Sequence, residues 1–124
     1  MGATRKDGDD VGGASGDDRR RYHRHAVRVA ALCRRVTEHG IEPPAHGETT
    51  DLSLGGFGAI LDEYFEVGDV VDVDLALAPH IVTFRALVVE VSPADDRVRI
   101  HCCYTDPPPL VARAITDFLE ARCH

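Results

Sequence analysis

Apolar and polar residues alternate through most of this chain, and the period of two predicts strands. Val27, Val29, Ala31 and Cys33 alternate with Arg28, Ala30, Leu32 and Arg34, which predicts an extended segment over residues 25–36. Gly40, Pro43 and Pro44 then break the pattern, so residues 39–47 read as a turn. Residues 48–54 are short and β-prone, Gly55, Gly56 and Gly58 punctuate, and an apolar run resumes over 59–61: strand, glycine turn, strand. After a turn at Val67, Gly68 and Asp69, the residues Val71, Val73, Leu75 and Leu77 alternate with Asp72, Asp74 and Ala76. This is a half-buried strand whose two aspartates read as a solvated face. Ala78, Pro79 and His80 make another turn, residues 81–91 a long β-rich run, and residues 92–96 a hairpin connection. Val98, Ile100, Cys102 and Tyr104 alternate with Arg99, His101 and Cys103 in the last strand.

The period changes after Tyr104. Leu110, Val111, Ala114, Ile115, Phe118 and Leu119 recur at helical spacing and form one apolar stripe. Asp106, ahead of three prolines, is the expected N-cap. Six or so short strands joined by glycine turns, followed by one helix, favour a mainly β fold, a closed barrel or a sandwich, with a C-terminal α-helix. Nothing alternates strand with helix, which excludes a doubly wound nucleotide fold.

Composition refines this picture. The 124 residues, 44% of them apolar, suit one domain whose core needs neither disulfide nor metal. Residues 1–18 are rich in Gly and Asp with almost no apolar content and are expected to be a disordered tail, leaving residues 19–124 as the single domain. The net charge of −7 argues against DNA or RNA as a partner. The distribution of charge says more. Seven arginines (Arg19, Arg20, Arg21, Arg24, Arg28, Arg34, Arg35) fall in one segment without an acid, whereas the chain beyond it is acidic. Such a focus points to a small anionic ligand, since the arginine fork binds phosphate bidentately and stacks on flat rings. No run approaches the roughly 20 apolar residues of a membrane helix, so no membrane insertion is expected. The N-terminus has no secretory leader pattern, so Cys33, Cys102, Cys103 and Cys123 are expected to be reduced thiols in the cytoplasm.

Two local patterns carry candidate chemistry. Arg20 and Arg24 stand four apart before the first strand, and Asp51, Ser53, Gly55 and Gly56 fall between two strands. The arginines offer two forks to a phosphate or a flat face to a base. Asp51 is an acceptor suited to the N1–H and N2–H donors of guanine, Ser53 adds a hydroxyl, and the two glycines let the backbone approach a planar ligand. Each pattern also has a bland reading: arginine-rich termini are commonly just solvated, and Asp-x-Ser before Gly-Gly is a common Asx-type turn. Taken together, with one strand between them, they describe a guanine-nucleotide site without a catalytic base. Enzyme signatures are missing: Gly55, Gly56, Phe57 and Gly58 lack the Lys-Ser/Thr ending of a P-loop, and there is no G-x-S-x-G. His23, His25, His101, Cys102, Cys103, Cys123 and His124 lack the spacing of a structural zinc site, so no metal or other cofactor is expected.

Arg20-Arg-Tyr-His-Arg24 and Asp51-Leu-Ser53-Leu-Gly-Gly56 together resemble the R-x-x-x-R and [D/N]-x-S-x-x-G motifs of the PilZ domain family, receptors for cyclic di-GMP. The resemblance runs from about Arg19 to the C-terminus in element order and implies a six- to seven-stranded antiparallel β-barrel, the PilZ-type split barrel, with a C-terminal α-helix. It further implies that residues 19–25 form a ligand-binding loop in which Arg20 and Arg24 hold phosphates and stack on guanine. Asp51 and Ser53 would contact a guanine, with Gly55 and Gly56 shaping the approach. Arg19, directly before the first motif arginine, implies a stacked dimer of the ligand. The implied function is a receptor that signals to an unknown downstream protein, not an enzyme. The alternative is a PilZ-like protein–protein adaptor that binds no nucleotide.

Overall fold

The computed structural model describes residues 23–122. Seven strands are followed by one helix: β1 (Ala30–Thr37), β2 (Gly40–Ile41), β3 (Ala45–Leu52), β4 (Gly56–Leu61), β5 (Val70–Leu77), β6 (His80–Ala94), β7 (Arg97–Tyr104) and α1 (Pro109–Arg122). Hydrogen bonding runs in the order β1, β3, β4, β7, β6, β5 and returns to β1, closing a six-stranded antiparallel barrel. β2 is an extra strand that pairs with the far end of β1. Closure leaves the barrel strands no open edge on which another chain could pair.

The inward set is the one that alternation predicts. Val71, Val73, Leu75 and Leu77 of β5 and Val98, Ile100 and Cys102 of β7 are buried, as are Ala31 and Cys33 of β1. Phe57, Phe84 and Tyr104 form an aromatic cluster: Phe84 meets Phe57 at 5.9 Å and Tyr104 at 5.1 Å between ring centroids, both edge-to-face. Cys33 and Cys102 lie inside while Cys103 faces outward, and all three are free thiols. Burial pushes the Cys33 pKa up to about 12 and raises that of Cys102, so both stay protonated and inert.

Four sequence expectations change. β3 begins at Ala45, inside the segment read as a turn, because the prolines stop at Pro44 and Ala45 packs into the core against β1. β6 continues through Pro93 to Ala94, leaving only Asp95 and Asp96 to reverse the chain, with Asp95 at φ 59°. Asp106 is not the N-cap. A residue that precedes proline is disfavoured in the helical region, which keeps residues 106–108 out of the helix; Pro109 is its first residue, and Pro108 O accepts the N–H of Val111 and Ala112 at 2.9 and 3.1 Å. Leu110 leaves the stripe and stands 84% exposed, while Val111, Ile115 and Leu119 are buried against the barrel.

Asp72 and Asp74 do face outward, but they are bridged to neighbouring strands. Arg85 Nε lies 2.8 Å from Asp72, Arg34 Nη1 2.9 Å from Asp74, and the Thr83 hydroxyl donates to Asp74 at 2.7 Å. Desolvation works against the Asp74 charge, yet Thr83 and Arg34 hold its carboxyl below the usual range.

Candidate ligand-binding site

The site begins with a buried threonine. Thr49 of β3 donates its hydroxyl to Val27 O and accepts Val29 N–H at 3.0 Å, and its own N–H bonds Val29 O at 2.9 Å. Val27 is buried, and His25 and Leu52 then exchange backbone hydrogen bonds of 3.0 and 2.9 Å. The arm that precedes β1 is thereby fastened along the end of β3, and Arg24, one residue upstream of the last clamp, reaches Asp51 with Nε 3.8 Å from Oδ1.

Two bulges aim the remaining side chains. In β3, Thr49 opposes Ala59 but Asp51 opposes Gly58; the additional Thr50 lets Thr49 and Leu52 both point inward while Asp51 turns out. In β6, Val88 opposes Cys102 but Glu90 opposes His101. Asp51, Gly58, His101 and Glu90 therefore stand in one row across β3, β4, β7 and β6 on the outer surface. His101 Nε2 lies 3.7 Å from Asp51 Oδ2, and its Nδ1 lies 3.5 Å from Glu90 Oε1. Gly58 makes the first approach possible: a Cβ there would sit 2.8 Å from Asp51 Oδ2 and Thr50 Oγ1 and 2.9 Å from His101 Nε2.

His101 chiefly, and Arg24 with it, keep the Asp51 carboxyl below the usual carboxylate range against the opposing effect of burial. The ionised form is the stabilised one, so its contribution is present above the unfolded-state pKa and is lost as pH falls through the lowered folded value. The two oxygens differ. Oδ2 accepts from the Thr50 hydroxyl at 3.2 Å and faces His101. Oδ1 is shielded from solvent, faces Arg24, and accepts no hydrogen bond among the described residues. An acceptor left in that state costs about 1–3 kcal/mol, and a donor supplied from outside would recover it.

Ser53 organises the next turn. Its hydroxyl accepts Gly55 N–H at 3.1 Å and Gly56 N–H at 3.2 Å, and it is nearly buried. Gly56 packs so close to β7 that a Cβ would lie 2.0 Å from Cys102 O. The Tyr104 hydroxyl donates to Ser53 O at 2.8 Å, with Gly56 O at 3.1 Å. Burial, with Asp51 nearby, raises the Tyr104 pKa, so the phenol remains a donor. Tyr104→Phe should therefore cost about 1–2 kcal/mol and speed amide exchange at Gly55 and Gly56; unaltered exchange and stability would remove Tyr104 from this role.

The arginine cluster divides by task. Arg34 is held by Asp74; Arg35 by Asp69, Glu42 and Tyr64 O, above the Phe65 ring; Arg28 faces Glu48. Of the sequence-predicted site residues, Arg24, Asp51, Ser53, Gly55 and Gly56 lie at one end of β3 and β4. Arg19 and Arg20 lie outside the described residues. His101, Gly58 and Glu90 escape sequence reasoning: His101 is considered there only as a metal ligand. Its outward parity opposite Cys102 is readable, but what it faces depends on register and bulges.

The closed antiparallel barrel thus carries the arm, the serine–glycine turn and the aspartate together on one outer edge. The PilZ domain family model matches residues 18–121, and the chain belongs to that family. The PilZ domain of Escherichia coli YcgR with c-di-GMP is similar in structure: TM-score 0.65 at 19% identity over 83% of this chain and 90% of that one. YcgR from Escherichia coli in complex with c-di-GMP gives 0.67 at 22% identity, over 84% of this chain and 46% of that one. The Bacillus subtilis inhibitor of motility MotI gives 0.67 at 16%, over 85% and 51%. The chain thus spans about half of these last two proteins. No curated protein matches it. No helix of the described residues is long and apolar enough to cross a membrane.

Proposed function

We propose that this chain is a cytoplasmic receptor for cyclic di-GMP that performs no chemistry on it. The observation that carries the reading is the pairing of Arg24 with an ionised Asp51 whose Oδ1 accepts no hydrogen bond from the described residues. A phosphate takes the Arg24 fork and draws it off Asp51, which opens the shielded Oδ1 to the N1–H and N2–H donors of guanine. Structural neighbours from Escherichia coli that carry c-di-GMP support the choice of ligand. Four residues of extended chain reach at most about 14 Å, so Arg20 can meet a ligand that already touches Arg24. Binding then draws the segment with Arg19 and Arg20 onto the barrel, and the altered surface is read by a partner protein. Ser53 acts by shaping the turn.

Calorimetric titration of the full chain with cyclic di-GMP tests this. Arg24→Ala should weaken binding by about 1.5–3 kcal/mol, roughly ten- to 150-fold. Affinity should fall as salt rises, because arginine–phosphate attraction is screened. A ratio of two ligands per chain would bear out the stacked dimer that Arg19 implies. Absence of heat with the wild-type chain overturns the reading, and a salt-independent affinity removes the phosphate role.

A further inference from the structure

Asp51 has two oxygens in unlike surroundings, and the groups that make them unlike lie on other strands. Thr50 and His101 both address Oδ2. The imidazole is in turn held from its far side, with Nδ1 3.5 Å from Glu90 Oε1. With its side chain only 18% exposed and a carboxylate at each ring nitrogen, the ring has little freedom to turn away. Gly58, beneath the Asp51–His101 approach, adds no side chain that would part them. Two bulges, in β3 and β6, are what bring both acids to this row.

We propose that His101, braced by Glu90, is a positioning residue that fixes the Asp51 carboxylate as a pure acceptor with Oδ1 toward the ligand, and that this row sets the preference for guanine over adenine. The inference rests on the cyclic di-GMP reading and specifies its selectivity. A guanine edge offers two donors, N1–H and N2–H. An adenine edge offers an acceptor at N1 beside one amino group. An ionised, immobile carboxylate accepts from the first and opposes the N1 lone pair of the second. Only a carboxyl that takes up a proton can donate to adenine N1, so the less the ionised form is favoured, the smaller the discrimination. The depressed titration of Asp51 agrees with this role.

The test is titration of the full chain and its variants with cyclic di-GMP and cyclic di-AMP, with folding checked by thermal melting. His101→Ala, which removes the imidazole 3.7 Å from Oδ2, should weaken cyclic di-GMP binding about tenfold and narrow the guanine-to-adenine ratio by a similar factor. His101→Gln, whose amide keeps N–H donors on the Oδ2 side, should restore most of both. Gly58→Ala, placing a methyl 2.8 Å from Asp51 Oδ2, should narrow the ratio in the same direction. Without any nucleotide, carbon-detected NMR should show the Asp51 carboxyl moving toward the ordinary carboxylate range in His101→Ala. A folded His101→Ala that keeps affinity and ratio overturns the inference, as does a loss that Gln does not rescue at unchanged ratio; in both cases wild-type binding leaves the receptor reading standing. A wild-type chain that binds no cyclic di-GMP overturns both together.

Discussion

Asp51→Ala should reduce cyclic di-GMP affinity by roughly a hundredfold or more while leaving stability within about 1 kcal/mol of wild type. The affinity loss follows from two donors of one guanine edge converging on one carboxylate: hydrogen bonds to a charged group contribute about 1.5–3 kcal/mol each, and each 1.4 kcal/mol is about tenfold. The small stability change follows from the free protein. Oδ1 is shielded and accepts no hydrogen bond from the described residues, and Arg24 at 3.8 Å is a long, partly solvated contact. Removing the carboxylate removes a desolvated charge along with its modest pairing to His101 and Arg24. Titration beside urea denaturation separates the two quantities. A variant that unfolds easily would make Asp51 a structural residue, and one that still binds tightly would end its role in recognition.

The largest loss of stability is expected from Phe57→Ala, about 3–5 kcal/mol. Phe57 is fully buried, edge-on to Phe84 and stacked 6.3 Å from Tyr104. It lies on β4 between Gly56 and Gly58, so no flanking side chain can lean into the void, and closure of the barrel keeps the strands from collapsing on it. For a domain of this size the melting temperature should fall by more than about 10 °C. Tyr104 loses the face on which it rests, so the turn that its hydroxyl holds at Ser53 should loosen as well. Thermal denaturation followed by circular dichroism reads the first effect and amide exchange at Gly55 and Gly56 the second. A change below about 1 kcal/mol would show that the core refills the cavity.

How far the fold can be read from the chain depends on the range of the interaction concerned. Val71 to Leu77 and Val98 to Cys102 disclose their inward residues because a half-buried strand repeats every two positions, a property of neighbours in sequence. The three prolines of 107–109 also act locally, yet the reading of Asp106 as a cap weighs its side chain and overlooks the conformational bar that each proline sets on the residue before it. Other features are non-local. Arg34 and Arg35 look like part of a ligand-facing cluster until Asp74, Asp69 and Glu42 arrive from elsewhere and occupy them. Nothing near Thr50 or Glu90 in the sequence marks a bulge, because a bulge is a mismatch between two strands and belongs to neither alone. His101 is the clearest case: its parity is local, but its two carboxylate neighbours are products of register.

The fastening of the arm along β3 gives the two ends of this chain different mechanical standing. His25 is bonded to Leu52, next to Asp51, so a pull on whatever lies upstream of Arg24 arrives at the proposed recognition edge through a single residue. Helix α1 rests on β5 and β6 through the buried Val111, Ile115 and Leu119, so a load applied there meets the core first. A reporter dye or fused module on the amino-terminal side thus shares a lever with the proposed ligand, whereas one carried on α1 rides on the barrel core.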